Sequence, residues 1–218
     1  MGKFLKYSVA IILIVFILIF IALRIPSVQD RLLDIGLANL INAAESPLTQ
    51  EDALSAIVCG SRSPLPNPDR AETCILVKAG ERVFIVDTGD GSASNLRTFG
   101  IPFEFEAILI THLHSDHISD LQDFHLGSWV TGRKSKLKVY GPEGIKTVTN
   151  GFEEAYSLDA KYRYEHHGDE VVVEKAFGYE AITLLENTEP FYNENELKIT
   201  AFLVEHEPVE PALGFRFD

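Results

Sequence analysis

Residues 111–117 read THLHSDH and place three histidines and one aspartate within six positions. The apolar segment 107–110 (AILI) directly precedes them, and a short apolar run of this kind predicts a buried strand. Neutral imidazole nitrogens and carboxylate oxygens bind Zn(II), Fe(II) and Mn(II), and zinc is the usual ion in histidine-rich sites. So dense a cluster at the end of a buried strand predicts a metal site rather than a chance group of surface residues.

The spacing of these ligands predicts two metal positions. His112 and His114 are two residues apart, so both side chains leave the end of the strand on the same side and can hold one ion. A tight turn then directs Asp116 and His117 to a second position. Two ions about 3.5–4 Å apart can share a hydroxide, lower its pKa and direct it at a phosphoryl, sulfuryl or acyl centre. The pattern thus indicates a metal-dependent hydrolase that uses a metal-bound hydroxide to cleave ester bonds.

Strands and helices alternate around this cluster. Strands are expected at residues 74–77, 82–86, 107–110, 137–140 and 197–204, and helices at residues 92–99 and 144–156. No internal repeat is visible in the sequence. This alternation predicts the α/β class, without repeated βαβ units of equal size.

The motif and its flanks resemble the metallo-β-lactamase superfamily, and within it the branch of ribonuclease Z and related arylsulfatase-type hydrolases. Besides THLHSDH, the resemblance rests on residues 59–66 (CGSRSPLP), 87–91 (DTGDG), 140–144 (YGPEG), 204–206 (VEH) and 211–216 (PALGFR). It covers residues 55–218. It implies a four-layer αββα sandwich, of which this chain is expected to hold the first half.

The resemblance also implies a role for each ligand. The ligands expected for two zinc ions are His112, His114 and His206 on the first ion and Asp116 and His117 on the second. Asp116 is further expected to receive or orient the proton of the attacking water. Asp87 matches the acidic residue that supports the metal loop from behind the ligands.

One departure from the family pattern concerns the carboxyl terminus. The family places a metal-bridging aspartate and a last histidine ligand after the segment that holds His206, and this chain ends at Asp218. Among the other histidines, His125 is expected to be structural in a helix, and His166 and His167 to lie in a solvated turn. The chain is therefore interpreted as a fragment of a longer protein, able to hold one ion well and the second poorly.

Two cysteines enclose a turn-rich loop. Cys59 and Cys74 have fourteen residues between them, and in an oxidising compartment they could pair and close the loop. Two free buried thiols on adjacent strands are an equally good interpretation. The loop also carries hydroxyl and guanidinium groups that suit an anionic ester oxygen, on Ser61, Arg62, Ser63 and Arg70. A structural turn with exposed arginines explains these residues equally well.

The charge of the chain bears on its substrate. The first fifty residues hold three acidic and four basic groups, which leaves 29 Asp and Glu against 15 Lys and Arg, a net charge of −14, for the remainder. Nucleic-acid-binding surfaces are usually basic, so this charge disfavours nucleic acid as a partner, although a local basic site stays compatible with it. A small phosphodiester or sulfate ester is therefore the expected substrate. The alternatives are tRNA 3′-end cleavage of the ribonuclease Z type and an inactive, membrane-tethered metal-binding remnant.

The amino terminus carries a membrane signal. Residues 9–23 are fifteen consecutive apolar residues, preceded by Lys3 and Lys6 and followed by Arg24. This length is at the short limit of a membrane-spanning helix, and no small-x-small cleavage site follows closely, which favours an uncleaved anchor over a signal peptide. Residues 1–26 are thus expected to form a single-pass inner-membrane helix, with the acidic domain on the periplasmic side.

Residues 27–54 are expected to form a juxtamembrane helix and a linker, with residues 46–52 as the linker, into the catalytic domain of residues 55–218. Ser27 can cap the helix. Its apolar face is formed by Leu33, Leu37, Leu40 and Ile41. That face either packs on the domain or lies on the membrane surface.

Overall fold

The computed structural model describes residues 7, 13, 15–16, 20–32, 48, 52–185 and 189–218. The chain divides into two units, Met1–Glu45 and Ser46–Asp218. In the first unit, residues 20–22 and 26–32 are helical, so the second of these helices begins at Pro26 rather than after a Ser27 cap. Proline fits this position because its missing N–H has no partner in the first helical turn.

The predicted transmembrane helix finds no support in the described residues. None of the helices they form has the length and apolar character needed to cross a membrane. Much of the apolar run, including residues 17–19, lies outside the described part of the chain, as does the predicted helical face of residues 33–41. Of the predicted linker 46–52, Leu48 and Asp52 are described.

Six strands of the second unit form one mixed sheet, in which neighbours in the chain are neighbours in space. The strands are β1 (Leu54–Gly60), β2 (Cys74–Ala79), β3 (Arg82–Val86), β4 (Ala107–Leu109), β5 (Leu137–Gly141) and β6 (Tyr179–Thr183). The pairs β1–β2 and β2–β3 are antiparallel, and β3 to β6 are parallel. Strand β4 is buried along its whole length, which explains why its sequence is a continuous apolar run.

A second sheet is smaller and antiparallel. Its strands are β7 (Tyr192–Glu194), β8 (Leu197–Leu203) and β9 (Leu213–Phe217), in that order. It packs face to face on the larger sheet: the ring of Phe84 on β3 meets the ring of Tyr192 edge-on, with centroids 5.3 Å apart. Aromatic pairs of this geometry add to the free energy gained from burial.

Helices cover the opposite face of the larger sheet. They are α1 (Ser92–Thr98), α2 (Ser115–Ile118), α3 (Leu121–Val130), α4 (Ile145–Ala155) and α5 (Ser157–His167), with a 3₁₀ turn at Glu174–Ala176. Leu96, Phe124 and Ile145 bring α1, α3 and α4 into one core with the sheet. The described residues therefore form a helical layer and two stacked sheets, and the predicted α/β class is confirmed.

Some elements lie outside the sequence-based expectations. Among them are helix α5 and strands β6 and β7, whose segments lack a clear apolar period. His166 and His167 lie in the last turn of α5, where both side chains are exposed, and not in a turn between elements. His125 lies in α3 and is fully buried, as expected for a structural histidine.

Candidate metal centre

Two loops meet at the carboxyl-terminal edge of the parallel strands. Strands β3 and β4 are parallel neighbours, and Val86 pairs with Leu109 in their ladder. Asp87 therefore leaves the sheet beside the start of the THLHSDH segment, and its N–H donates to the Leu109 carbonyl at 2.9 Å. In α/β sheets this edge is where ligands bind, because the loops that follow parallel strands gather there.

Three histidines converge at this edge. His112 Nε2 lies 3.1 Å from His114 Nδ1 and 3.2 Å from His206 Nε2. One ring nitrogen from each of the three residues lies within 4.8 Å of the other two. His112 is buried, whereas His114 and His206 are exposed, so the cluster opens to solvent on one side.

This geometry fits a metal ion. Four nitrogen ligands at about 2.0–2.1 Å from a tetrahedral zinc lie roughly 3.3 Å from one another, close to the nitrogen–nitrogen distances within the cluster. Ring nitrogens brought this close need a shared proton or a cation between them. Imidazole is a preferred ligand of zinc and also suits iron, whereas manganese prefers carboxylate, carbonyl and water oxygens. The three histidines leave a coordination position open, as catalytic zinc sites do.

The loop between β8 and β9 supplies His206. The loop closes on itself through the Val209 N–H, which donates to the His206 carbonyl at 2.8 Å. At its end, the Leu213 N–H donates to the Thr111 carbonyl at 2.9 Å. This second bond ties the first residue of β9 to the first residue of the THLHSDH segment. The smaller sheet thereby holds His206 against a motif that lies 94 residues earlier in the chain.

Asp87 supports the metal loop from behind. Its side chain is buried and its backbone has a φ of 60°, a left-handed conformation that few residues other than glycine adopt. Asp87 Oδ1 accepts the Thr111 N–H at 2.8 Å, and Asp87 Oδ2 accepts His117 Nδ1–H at 2.8 Å. Asp87 thus fixes the start of the loop and one of its predicted ligands.

Thr111 is a site residue that sequence reasoning left without a role. Its hydroxyl lies 2.9 Å from Asp87 Oδ2 and 3.1 Å from His112 Nδ1. When the hydroxyl donates to the carboxylate, its lone pairs accept from His112 Nδ1–H. That tautomer leaves His112 Nε2 deprotonated and directed at the other two imidazoles. The feature of the sequence that could have indicated this role is the position of Thr111 immediately before His112, the first predicted ligand.

Asp116 and His117 lie side by side at the start of α2. His117 Nε2 is 3.8 Å from Asp116 Oδ2, and the hydrogen bond of His117 Nδ1 to Asp87 leaves Nε2 free for a ligand. Among the described residues, only His112, His114 and His206 form a group of three or more ligands within reach of one ion. The structure thus brings Asp116 and His117 together, and a second ion between them stays a prediction.

The surroundings of His112 and His117 shift their pKa values in opposite directions. Burial, and then the charges of His117 and His206, lower the pKa of His112 to about 4, so its ring is neutral at pH 7. Burial lowers the pKa of His117, but the hydrogen bond and the charge of Asp87 outweigh it, so the pKa lies above its ordinary value. A neutral imidazole is the form that binds a metal ion.

The family model that matches the chain is that of the metallo-beta-lactamase superfamily, over residues 67–209. The matched range contains the heptapeptide, Asp87 and His206. The chain belongs to the metallo-β-lactamase superfamily. The resemblance seen in the sequence is therefore confirmed at the level of the superfamily.

Two curated relatives of the chain are ribonucleases Z. Ribonuclease Z of Mycobacterium bovis (strain BCG / Pasteur 1173P2) is 34% identical over 169 residues, which cover 76% of this chain and 59% of that protein. Ribonuclease Z of Mycobacterium marinum is 35% identical over 164 residues, or 73% of this chain and 57% of that protein. The chain thus spans somewhat less than two thirds of the length of these relatives.

Solved structures of the superfamily share the fold. The short form of human tRNase Z superposes with a TM-score of 0.57 at 18% identity and covers 75% of this chain and 63% of that one. The metallo-beta-lactamase fold protein YhfI from Bacillus subtilis superposes with a TM-score of 0.54 at 20% identity, covering 77% and 59%. The predicted metallo-β-lactamase fold is therefore confirmed. The described residues form one helical layer and two sheets of this fold.

A cavity of about 510 Å³ opens over the histidine cluster. On one side it is lined by His112, His114, His206, Asp116 and His117. The opposite wall comes from the loop between β1 and β2 and consists of Ser61, Arg62, Ser63, Pro64 and Thr73. Three of the four loop residues considered from the sequence therefore face the metal position. Arg70 does not line this cavity, and instead lines a neighbouring one of about 350 Å³.

A disulfide closes the wall loop. Cys59 on β1 and Cys74 on β2 are bonded, with their Cα atoms 5.0 Å apart and both residues fully buried. The sequence left open whether Cys59 and Cys74 are bonded or are free thiols, and in the structure they form a disulfide. The bond joins the two ends of the loop that carries the cavity wall, so it limits how far the wall can move from the metal position.

Proposed function

We propose that this protein is a metal-dependent phosphodiesterase of the ribonuclease Z type. The observation that carries the proposal is the convergence of His112, His114 and His206 on one side of an open cavity at the edge of the parallel strands. Relatives named ribonuclease Z, 34% identical over 76% of this chain, support RNA as the substrate class. This choice reverses the preference for small esters that the sequence alone suggests.

The chain's own residues have defined tasks in this proposal. His112, His114 and His206 hold a divalent ion, which supplies Lewis-acid activation of water and of the ester oxygen. Asp116 lies at the cavity surface beside the cluster and accepts the proton of the attacking water. Asp87 holds His117 through a bond of 2.8 Å and so keeps the loop in position while charge develops.

Small aryl phosphodiesters and sulfate esters are the second candidate substrates. The observation that favours them is the negative charge of the domain: beyond residue 50, the chain contains 29 acidic and 15 basic groups. Such a surface repels a polyanion over a Debye length of about 8 Å at physiological salt. A small monoanionic ester meets little of this repulsion, because the ion in the site balances its charge.

One comparison of substrates tests the proposal. The zinc-loaded chain is assayed with a precursor tRNA that has a 3′ extension, with bis(p-nitrophenyl) phosphate and with p-nitrophenyl sulfate, each at several salt concentrations. We expect cleavage of the precursor at its 3′ end, at a rate that depends on salt. Efficient cleavage of the small esters alone favours the second candidate. Absence of cleavage of all three substrates favours the inactive metal-binding remnant.

Two histidine variants control this comparison. His114→Ala should abolish cleavage, because it removes one of the three clustered imidazoles. His166→Ala changes an exposed histidine on α5 and should leave every rate unchanged. If His114→Ala retains full activity, the three-histidine cluster is not the catalytic centre and the proposal fails.

We further propose that the domain is tethered to the inner membrane and lies in the periplasm. Because tRNA matures in the cytoplasm, this location favours the second candidate substrates. Residues 9–23 supply the apolar run, and the Cys59–Cys74 disulfide is typical of an oxidising compartment. A reporter fused after residue 50 should be active on the periplasmic side and stay with the membrane fraction. Activity of the reporter only in the cytoplasm contradicts the proposal. So does a mature protein that begins after Ala44, since Ala43 and Ala44 are the first adjacent pair of small residues beyond the apolar run.

A further inference from the structure

Arg62 lies in the wall of the metal cavity, across from the histidines. In the described part of the chain it is the one lysine or arginine among the residues that line this cavity. Its backbone N–H donates to the Ala71 carbonyl at 2.8 Å. This bond fixes the backbone of Arg62 to the segment that precedes β2. The disulfide closes the same loop, so the guanidinium starts from a fixed backbone position.

Two carboxylates hold one end of the guanidinium. Arg62 Nη2 lies 3.3 Å from Glu72 Oε1 and 3.0 Å from Asp90 Oδ2. Glu72 Oε2 in turn accepts the Asp90 N–H at 3.1 Å, so both acids belong to one arrangement. The ion pairs keep the side chain of Arg62 largely out of solvent and set the direction of its plane.

A second nitrogen of the guanidinium lacks a hydrogen-bond partner. Arg62 Nε is buried and has no hydrogen-bond partner within the residues that the structure describes. A buried donor without an acceptor costs free energy, and native structures rarely leave one without a reason. A guanidinium needed only to neutralise Glu72 and Asp90 could be replaced by a lysine ammonium. The planar fork offers more, because it can bind these acids at one edge and a second anion at another.

The surroundings of Arg62 connect it to the metal loop. The backbone at Gly89 passes so close to the Asp116 carbonyl and to Glu72 that a Cβ at this position would collide with both. The Arg62–Glu72–Asp90 arrangement therefore packs directly against the loop that carries the ligands.

We propose that Arg62 binds an anionic, non-bridging oxygen of the substrate ester and makes the site selective for charged diesters over neutral esters. This inference rests on the proposed function, since it deepens the description of the same site. A divalent ion attracts any ester oxygen, charged or neutral. A guanidinium that lines the same cavity adds a charge-assisted bond that only an anionic ester can accept.

Binding of inorganic phosphate tests this role without relying on turnover. The full chain, zinc-loaded and metal-free, is titrated calorimetrically with phosphate as wild type, Arg62→Gln, Arg62→Lys and Arg70→Gln. We expect Arg62→Gln to weaken phosphate binding about tenfold and Arg62→Lys about threefold, since lysine keeps the charge but not the fork. Arg70→Gln is the matched control. Arg70 belongs to the same loop and lines the neighbouring cavity, which Arg62 also lines, but it does not line the metal cavity, so the change should alter binding less than twofold.

Selectivity separates a binding role from a structural one. The ratio of kcat/KM for bis(p-nitrophenyl) phosphate to that for p-nitrophenyl acetate should fall about tenfold in Arg62→Gln, chiefly through KM. A residue that only stabilises the loop would lower the thermal midpoint and both rates together, leaving the ratio unchanged. Because Arg62→Lys keeps both ion pairs, it preserves the test if Arg62→Gln fails to fold.

The outcomes distinguish this inference from the proposed function. Phosphate affinity in Arg62→Gln equal to that of wild type, or an equal loss in Arg70→Gln, overturns the role of Arg62 whatever the protein cleaves. Phosphate binding that depends on Arg62, in a chain that cleaves no diester, supports the role of Arg62 while the proposed function fails.

Discussion

Asp87 Oδ2 accepts a hydrogen bond of 2.8 Å from His117 Nδ1, across a separation of 30 residues in the sequence. The bond fixes which nitrogen of His117 carries the proton and turns Nε2 towards Asp116. It is made by a buried aspartate held at a φ of 60°, a conformation that costs free energy and is retained where the surroundings require it. Asp87 therefore links the end of β3 to the metal loop after β4.

Removing the charge of Asp87 should weaken the site without removing a ligand. We expect Asp87→Asn to lower zinc affinity or phosphodiesterase activity about 10- to 100-fold, the usual effect of losing a carboxylate behind a histidine ligand. Zinc titration and kcat/KM measure this. Asp159→Asn, on the exposed helix α5, is the control and should have neither effect. Wild-type zinc affinity and activity in Asp87→Asn contradict the role assigned to it.

The three-histidine cluster should determine the metal content of the chain. His114→Ala removes one of the three nitrogens that lie within 4.8 Å of one another, and we expect it to lose most of one equivalent of zinc per chain. Elemental analysis after purification without chelators measures the zinc content per chain. His166→Ala should retain the wild-type content. Wild-type protein that contains no metal after such a purification rules out the assignment.

Breaking the disulfide should destabilise the domain. Its cysteines are 15 positions apart, and a cross-link of this span contributes about 3 kcal/mol by restricting the unfolded chain. We expect the free energy of unfolding in urea to fall by about this amount when a reductant is added. The Cys59→Ala/Cys74→Ala protein should show the lower value with and without reductant. Two free thiols in the mass spectrum of non-reduced periplasmic protein contradict the pairing.

His125 should make the stability depend on pH. Burial, and then the nearby charge of Arg133, lower its pKa to about 3, and its Nε2 accepts the Gly178 N–H at 2.8 Å. The unfolded chain binds a proton at this residue below about pH 6.5, whereas the folded chain stays neutral. Stability from this residue is therefore complete above pH 6.5 and is lost as the pH falls from 6.5 towards 3.

A histidine variant isolates that contribution. Between pH 6 and 4, the slope of unfolding free energy against pH should be smaller in His125→Gln than in wild type by up to about 1.4 kcal/mol per pH unit. Urea unfolding at several pH values gives the slopes. His166→Gln, at an exposed position on α5, should keep the wild-type slope. An unchanged slope in His125→Gln shows that His125 is not held neutral in the folded state.

The local part of the candidate metal site was predictable from the sequence. An apolar strand followed at once by THLHSDH places four candidate ligands within six residues, because strand geometry and a tight turn act over that short distance. The antiparallel pair β2–β3 and helices α1 and α4 were predictable for the same reason, since their apolar periods and turn residues are local signals. His206 and Asp87 were reached only through the family resemblance, because nothing in their own segments marks them.

Which residues distant in the sequence come into contact depends on the packing of the sheets and loops. The parallel pairing of β3 with β4 puts Asp87 against Thr111, and the hydrogen bond from Leu213 to Thr111 holds the His206 loop at the motif. Pairing of the cysteines and the placement of Arg62 in the cavity wall, with Arg70 outside it, depend on the same packing. Sequence patterns report the face that each element buries, but contacts between elements follow from how the sheets and helices pack against one another.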